Sequence, residues 1–581
     1  MTRHDDTRRI RREAADIAFN RPHFGPEPHP IPNPEENTFP TTRIANYSKG
    51  LKRENNDIIV DHDAYQSLLD ALDTGDPADF EKIVLDMGFG MPPAQRGNKK
   101  LTNPLAGLAF DLEGPDGHAI ALLKKNATKL DDPNSYEPFP SHPLLETDET
   151  AGEMVELYWM ALLRDIDFKD YSNNDLVKEA SEELSNLSDF KGPKDNNGKV
   201  TPRTIFRGFA QGDLEGPYIS QFLLRGNQDD VLGRDEGDGW VKYGTTSIDQ
   251  KHVVAVKGKD FGTTLKAWIA IQKGENRDLD PLYKGKKGDK RKLEFFFDRN
   301  LRFIRNARDL ATYVHYDALY QAYLTACLYL LRKMDFEGAK KMLNPGNPYI
   351  DLKKTDGFGT FGGPHILSLV CEVATRALKS VWYTKWFLFR RLRPEAYGGL
   401  VHLVKDPVPN INLNVQLPTD VLDSKVIKKI KKYNERQNMK FDGMPKDGTY
   451  LLPLAFPEGS PTHPSYGAGH ATVAGACVTV LKFWFNEKYE FEEIYIPKEN
   501  GRKLEKKVKK LTLLGELNKL AANIAIGRNM AGVHWRSDYT QSLRLGEAIA
   551  IGILQEQKIT YKEMFKNSFE FTRFDGTKVS I

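Results

Sequence analysis

Three segments in the last third of the chain bring basic and imidazole side chains together in a way that would suit an oxyanion. In KWFLFRRLRPE, Lys385 and Arg393 are eight residues apart. That is about 80° around a helix of 3.6 residues per turn, so both could lean toward one pocket. Pro394 disfavours the α region for Arg393, so a helix should end there and release the guanidinium. In SPTHPSYGAGHATVAGACVTVLKFW, small residues and proline run up to Gly469, and His470 opens a strongly apolar helix. Such a helix start presents free backbone N–H groups and the positive end of the dipole, which is an oxyanion site. His470 could exchange protons with an anion bound there, and His463, seven residues earlier, could reach the same pocket or lie in a surface loop. In IGRNMAGVHWRSD, His534 and Asp538 are four apart, hence neighbours on a helix face. A carboxylate on one ring nitrogen fixes the tautomer and makes the other a better ligand or nucleophile, and Gly532 allows a turn between Arg528 and His534. Taken singly, each segment also reads as ordinary structure. Together, one Lys, two Arg, a helix start and two histidines fit a tetrahedral, multiply charged oxyanion, because arginine offers two parallel donors to its oxygens.

The elements that must position these groups read as helices. Apolar residues recur at helical spacing over 153–165, 310–334 and 366–392. Strand signals are few, with VVAV near His252 as one strand of a small hairpin. The fold class is therefore mainly α, with helical bundles, long loops and little β. Residues 1–42 read as an extended N-terminal arm with at most one short helix, suited to packing on a neighbouring subunit, and 43–581 as a single large helical domain with the site within 380–540. Gly- and Pro-rich connections at 345–364 and 407–418 and a polar linker at 170–201 read as loops over a bundle.

Composition removes several classes of function. Lys plus Arg is 83 against 80 for Asp plus Glu, a formal +3, which does not describe a dedicated nucleic-acid binder. The basic runs at 284–292, 425–432 and 498–510 are interrupted by acids or periodic apolar residues and read as solvated helix faces and loops. Cys327, Cys371 and Cys477 lie in apolar helical patterns with no CxxC pair, so neither a disulfide framework nor a zinc ribbon is expected. No stretch approaches the roughly 18 consecutive apolar residues of a membrane helix. The charged N-terminus does not read as a signal peptide, so a cytoplasmic protein with no membrane partner is expected.

The order Lys to Arg-Pro, then Gly-His, then Arg to His to Asp resembles the signature shared by vanadium haloperoxidases and the acid phosphatases of the same superfamily. Seven residues separate Lys385 from Arg393, as in the red-algal and cyanobacterial bromoperoxidases, whereas the phosphatases usually have six. RREAADIAFNRP, ANYSKGL, NPLAGLAFDLEGPDGHA, ELYWMALLRDIDF, TIFRGFAQGDLEGPYISQFLL and FGTFGGPHI also look like stretches of that branch, so the likeness spans the chain. It implies two four-helix bundles and a vanadate-dependent oxidation of bromide, with iodide or chloride as further halides, by hydrogen peroxide. The product would be hypohalous acid, which halogenates small organic acceptors. Carried over residue by residue, it makes His534 the vanadium ligand and Asp538 its orienting partner. Lys385, Arg393, Arg528 and the Gly469 amide would bind the oxyanion, His470 would serve as acid and base, and His463 would assist. It also implies a large homo-oligomer, commonly of twelve subunits. A structural calcium ion on Asp351 or Asp356 is a further expectation. Where the family usually has Ser-Gly-His this chain has Ala468-Gly469-His470, one hydroxyl donor fewer. Two rivals stand beside this reading: a phosphohydrolase forming a phosphohistidine at His534, and a non-catalytic shell or storage assembly.

Overall fold

The computed structural model describes residues 2–19, 33, 35–74, 76–86, 122–124, 136–229, 231–274, 297–439 and 447–581. The stretches 103–119 and 284–292 lie outside the described residues. Helices dominate. They include α1 (Arg3–Phe19), α2 (Asp148–Leu163), α3 (Ala307–Tyr316), α4 (Gln321–Glu337), α5 (Gly363–Tyr383), α6 (Pro394–Lys405), α7 (Gly469–Trp484), α8 (Leu513–Met530) and α9 (Arg536–Thr560). Among the described residues the strands pair only as antiparallel two-stranded ribbons, and no helix is long and apolar enough to cross a membrane.

Helix α7 is buried along its whole length, as expected of a helix apolar on every face. It packs against α5, α8 and α9, and the crossing with α9 is close enough to require glycine. A Cβ on Gly475 would fall 2.1 Å from the Leu543 carbonyl oxygen, and one on Gly546 only 1.9 Å from that of Thr472. This crossing brings the start of α7, with His470, near the start of α9, which carries Asp538 in its first turn and follows His534. Thr147, Asn306 and Thr512 cap α2, α3 and α8 by accepting backbone N–H bonds.

Several sequence expectations change. The periodic stretch 310–334 is two helices, because the chain breaks at Asp317, the C-cap of α3. The linker at 170–201 contains a helix, Asp175–Ser185, whose first turn is capped by Asn174. Within the N-terminal 42 residues, α1 runs for 17 residues. It packs on α9 of the same chain, with Lys562 paired to Asp6. The basic run 498–510 is neither helix nor loop over most of its length: Glu490–Pro497 and Leu504–Thr512 form an antiparallel hairpin with one register irregularity. The strand at His252–Ala255 does pair in a small ribbon, with Phe297–Arg302.

Candidate active site

Lys385 and Arg393 do not share a helix. After α5 the chain widens into a π-helical turn, Thr384–Phe389, ends in left-handed backbone at Arg390 (φ 41°), and runs extended to Arg393, the N-cap of α6. The sequence expected one helix to reach Arg393. The proline does exclude Arg393 from a helix, but the break comes earlier, at Arg390.

The back of this turn is held by the N-terminal segment. Asn33 Nδ2 donates to the Phe389 carbonyl at 2.5 Å. Glu36 receives both Nε and Nη2 of Arg390, at 2.7 and 2.9 Å. Tyr47 N donates to the Arg390 carbonyl at 2.7 Å, and Leu392 N to that of Ala45 at 3.3 Å.

On the front, Lys385, Arg393, His463, Arg528 and His534 converge, all of them buried. Lys385 Nζ donates to the Pro464 and Ser465 carbonyls, at 2.8 and 3.1 Å. Arg393 reaches the His463 and Val533 carbonyls, at 2.9 and 2.7 Å, and also meets His534 Nε2 at 3.0 Å and His463 Nδ1 at 2.9 Å. Arg528 donates to the Val314 carbonyl at 3.0 Å, and its buried Nε has no hydrogen-bond partner among the described residues.

These contacts fix the imidazole tautomers. A guanidinium can only donate, so His534 Nε2 and His463 Nδ1 both present lone pairs to Arg393. His534 Nδ1 therefore carries the proton and donates to Asp538 Oδ2 at 2.8 Å. With its Nδ1 accepting from Arg393, His463 cannot also donate to the Pro464 carbonyl 3.2 Å away, so that contact is not a hydrogen bond.

Asp538 is more than a neighbour on a helix face. His534 precedes α9, and Asp538 in its first turn takes the Trp535 N–H at 3.1 Å, where the positive end of the dipole favours a carboxylate. Asp538 Oδ2 also receives the Ser465 hydroxyl, and Oδ1 receives Arg391 Nη1 at 2.9 Å. Arg391 in turn meets Ser537 Oγ at 2.8 Å and Glu153 Oε2 at 3.1 Å.

Electrostatics agree with the geometry. Burial first, then the Arg393 and Lys385 charges, hold His534 well below the usual imidazole range. Burial and the same two cations do so for His463. Arg528 is pushed down to about 10 by burial and by Arg393. Cations that weaken one another in a desolvated pocket leave it short of negative charge.

His470, second residue of α7, places its Nε2 3.0 Å from Asp317 Oδ1. Ala468 is the N-cap of α7 and contributes no side-chain cap, while its own N–H donates to Ser542 Oγ at 2.8 Å. Ser465, the hydroxyl three residues before Ala468, gives its proton to Asp538 and does not fill that place.

The sequence missed Arg391, Glu153, Asp317 and the 33–47 clamp. It also missed His315, which stacks on Phe456 with centroids 3.6 Å apart and meets Glu458 at 2.8 Å. Only Arg391, inside RRLRPE, carried a visible signal.

The comparisons with known proteins fit this geometry. The chain is 38% identical over 623 residues to a vanadium-dependent bromoperoxidase of Corallina pilulifera, with 98% of this chain and 96% of that protein covered. The chain belongs to the vanadium-dependent haloperoxidase family. Other relatives in the family agree: a bromoperoxidase of Corallina officinalis, 38% identical with 94% and 93% covered, and one of Ascophyllum nodosum, 31% identical with 90% and 84% covered. A family model described as the VCPO second helical-bundle domain matches residues 428–561, which include α7, α8 and α9. The homohexameric second vanadate-dependent bromoperoxidase of Ascophyllum nodosum superposes with a TM-score of 0.77 at 26% identity, covering 100% of this chain and 90% of that one. This haloperoxidase therefore has the mainly α fold of its family.

Proposed function

We propose that this chain is a vanadate-dependent haloperoxidase that oxidises bromide with hydrogen peroxide to hypobromous acid, which then brominates small organic acceptors. One observation carries the reading: Arg393 links the lone-pair nitrogens of His463 and His534 in a buried pocket that also holds Lys385 and Arg528.

The residues fit vanadate. His534 offers Nε2 as a ligand atom, with its proton held at Nδ1 by Asp538. Lys385, Arg393 and Arg528 carry the charge that an oxyanion needs, and the buried Arg528 Nε is an unused donor. The Gly469 amide at the start of α7 is a further donor. Bound vanadate supplies a Lewis-acidic centre that activates hydrogen peroxide for oxygen transfer to halide.

The chain's own groups do the rest. Lys385, anchored on two carbonyls, keeps a cation where charge develops, and fixed charges in a dry pocket act without reorganising. His470, steadied by Asp317, gives and takes protons at the pocket, and His463 lies on the other side of Arg393 to assist. Arg391 and Ser465 hold Asp538, and through it the His534 ring.

The assembly is read as a homo-oligomer, twelve subunits being the finer expectation. Residues 43–581 form one helical domain behind an arm at 1–42. Light scattering on the purified protein tests the subunit number. A calcium ion on the 345–364 loop would have to displace Lys340 from Asp351, 3.0 Å away, and compete with the Gly357 N–H at Asp356. Calcium titration by calorimetry tests that site.

The decisive experiment is bromination of a phenol by apo-protein with bromide and hydrogen peroxide, with and without added vanadate. Activity that appears only with vanadate supports the reading. Vanadate-independent activity or none at all overturns it, and phosphate-monoester hydrolysis in its place would return the phosphohydrolase rival.

A further inference from the structure

A second cation-lined cleft lies apart from the oxyanion pocket and shares no residue with it. It has a volume of about 440 Å³ and is framed by residues 167–172, 202–219, 304–305 and 496–509. That is the size of a small-molecule site. Six cationic side chains line it, Lys169, Arg203, Arg207, Arg305, Lys507 and Lys509, against one carboxylate, Asp167.

Two of the lysines, Lys507 and Lys509, come from the hairpin strand Leu504–Thr512, where alternate residues face opposite sides. Lys506 and Lys510 are paired with acids of the neighbouring strand, Lys506 with Glu493 at 2.7 Å and Lys510 with Glu490 and Glu492, both at 3.3 Å. Lys507 and Lys509 turn to the cleft. Lys507 has only a loose contact with Glu505, at 3.8 Å. Lys509 and Lys169 have no ion-pair partner among the described residues. The basic run is thus two sets of lysines with different jobs, one neutralised within the hairpin and one left to an external anion.

The walls are apolar. Phe168 and Tyr218 stack with centroids 3.9 Å apart and planes 4° from parallel, and Ile304 and Ile496 complete them. Arg207 lies over the Tyr218 ring, 5.1 Å from its centroid. Its two terminal nitrogens are committed to the Asp213 and Gly216 carbonyls, at 2.7 and 3.2 Å. Its charge is therefore present, but its fork cannot grip a phosphate. The lysines supply point charges rather than forks, and beside an aromatic wall they suit a flat apolar body with one anionic head.

We propose that this cleft binds aromatic carboxylates, with the ring against the Phe168 and Tyr218 wall and the carboxylate between Lys507 and Lys509.

The test uses vanadate-loaded enzyme in its native assembly, so that the oxyanion pocket is already filled. Titration with 2-naphthoate at low salt, followed by calorimetry, is expected to show saturable binding at least about tenfold tighter than that of the neutral 2-naphthalenemethanol. Binding should weaken as salt is raised. Lys507→Glu with Lys509→Glu should lose at least about tenfold in affinity while keeping wild-type bromide oxidation. The same reversal at Lys506 and Lys510 should leave naphthoate binding intact. Equal binding of acid and alcohol, equal loss in both double variants, displacement of naphthoate by equimolar inorganic phosphate, or no saturable binding in the assembled protein would each overturn the proposal.

Discussion

Nη1 of Arg393 lies 3.0 Å from Nε2 of His534, so the imidazole keeps its lone pair on the side of the three cations and its proton on the side of Asp538. The carboxylate and the guanidinium act on opposite ends of one ring. Replacing His534 by Ala removes the ligand atom without disturbing either partner's own anchors. Bromide oxidation is expected to fall on the order of 100-fold or more, with vanadium lost on desalting and circular dichroism unchanged. Stoichiometric vanadium in the desalted variant would rule out His534 as the ligand.

Lys385→Ala should separate rate from affinity, because a cation that meets developing charge matters more in the transition state than in vanadate binding. Turnover is expected to drop about 100-fold, with the vanadate dissociation constant changed less than about tenfold. The Pro464 and Ser465 carbonyls lose their partner, which lowers stability by roughly 1 to 3 kcal/mol. Parallel loss of rate and affinity would reduce Lys385 to an anion anchor.

Asp317→Asn keeps the size of the group that meets His470 but removes its charge. Initial rates at saturating vanadate are expected to fall roughly tenfold or more, with vanadate affinity unaltered. A vanadate titration alongside the rate assay distinguishes this from general damage to the pocket, which would weaken binding too.

Ala468→Ser carries two separable effects, because Ala468 is both the N-cap of α7 and the place of the missing hydroxyl. As a cap, the serine oxygen stabilises the vanadate-free protein by about 0.5 to 2 kcal/mol. As a donor to a charged oxygen it adds roughly 1.5 to 3 kcal/mol, about tenfold or more in vanadate dissociation constant. Thermal unfolding without vanadate reads the first, and recovery of bromination during vanadate titration reads the second. An unchanged dissociation constant would mean that no donor position stands unfilled, and a lowered melting temperature would point to a collision with Ser542.

A pH prediction follows from His252, which burial pushes down to about 4. Its unfolded value is near 6.5, so below pH 6.5 the unfolded chain binds a proton that the native protein does not. Native stability therefore falls as pH drops from 6.5 toward 4. His252→Gln should remove roughly 1.5 kcal/mol of the stability lost between pH 6.5 and pH 5. Urea unfolding of both proteins at the two pH values measures the difference, and parallel losses would contradict it.

Most of the candidate site was legible in the sequence because a site for an oxyanion would demand these side-chain types. Lys385, Arg393, His463, Arg528, His534 and Asp538 converge as their order implied. What was not legible depends on contacts between distant parts of the chain. Nothing local marks Asp317 as the partner of His470, 153 residues away, or Glu153 as the partner of Arg391. The π-turn at Thr384–Phe389 was invisible because its sequence is ordinary helix former, and the break was therefore placed three residues late. The hairpin at 490–512 was hidden by charge: a run of lysines reads as solvated helix until the partner strand is known.

The clamp of residues 33–47 on the 385–393 turn ties this pocket to the order in which the molecule is built. The hydrogen bond that Asn33 donates to Phe389 and the one that Glu36 accepts from Arg390 close loops of about 350 residues, and such distant contacts are slow to form. During synthesis the N-terminal segment waits while most of the chain emerges, and α9, the last helix of the bundle, must arrive before Arg391 can find Asp538. A ribosome-bound fragment ending before residue 534 holds the cationic wall but no ligand nitrogen. The pocket is thus complete only once residues 534–538 have been made and have met the segments that precede them.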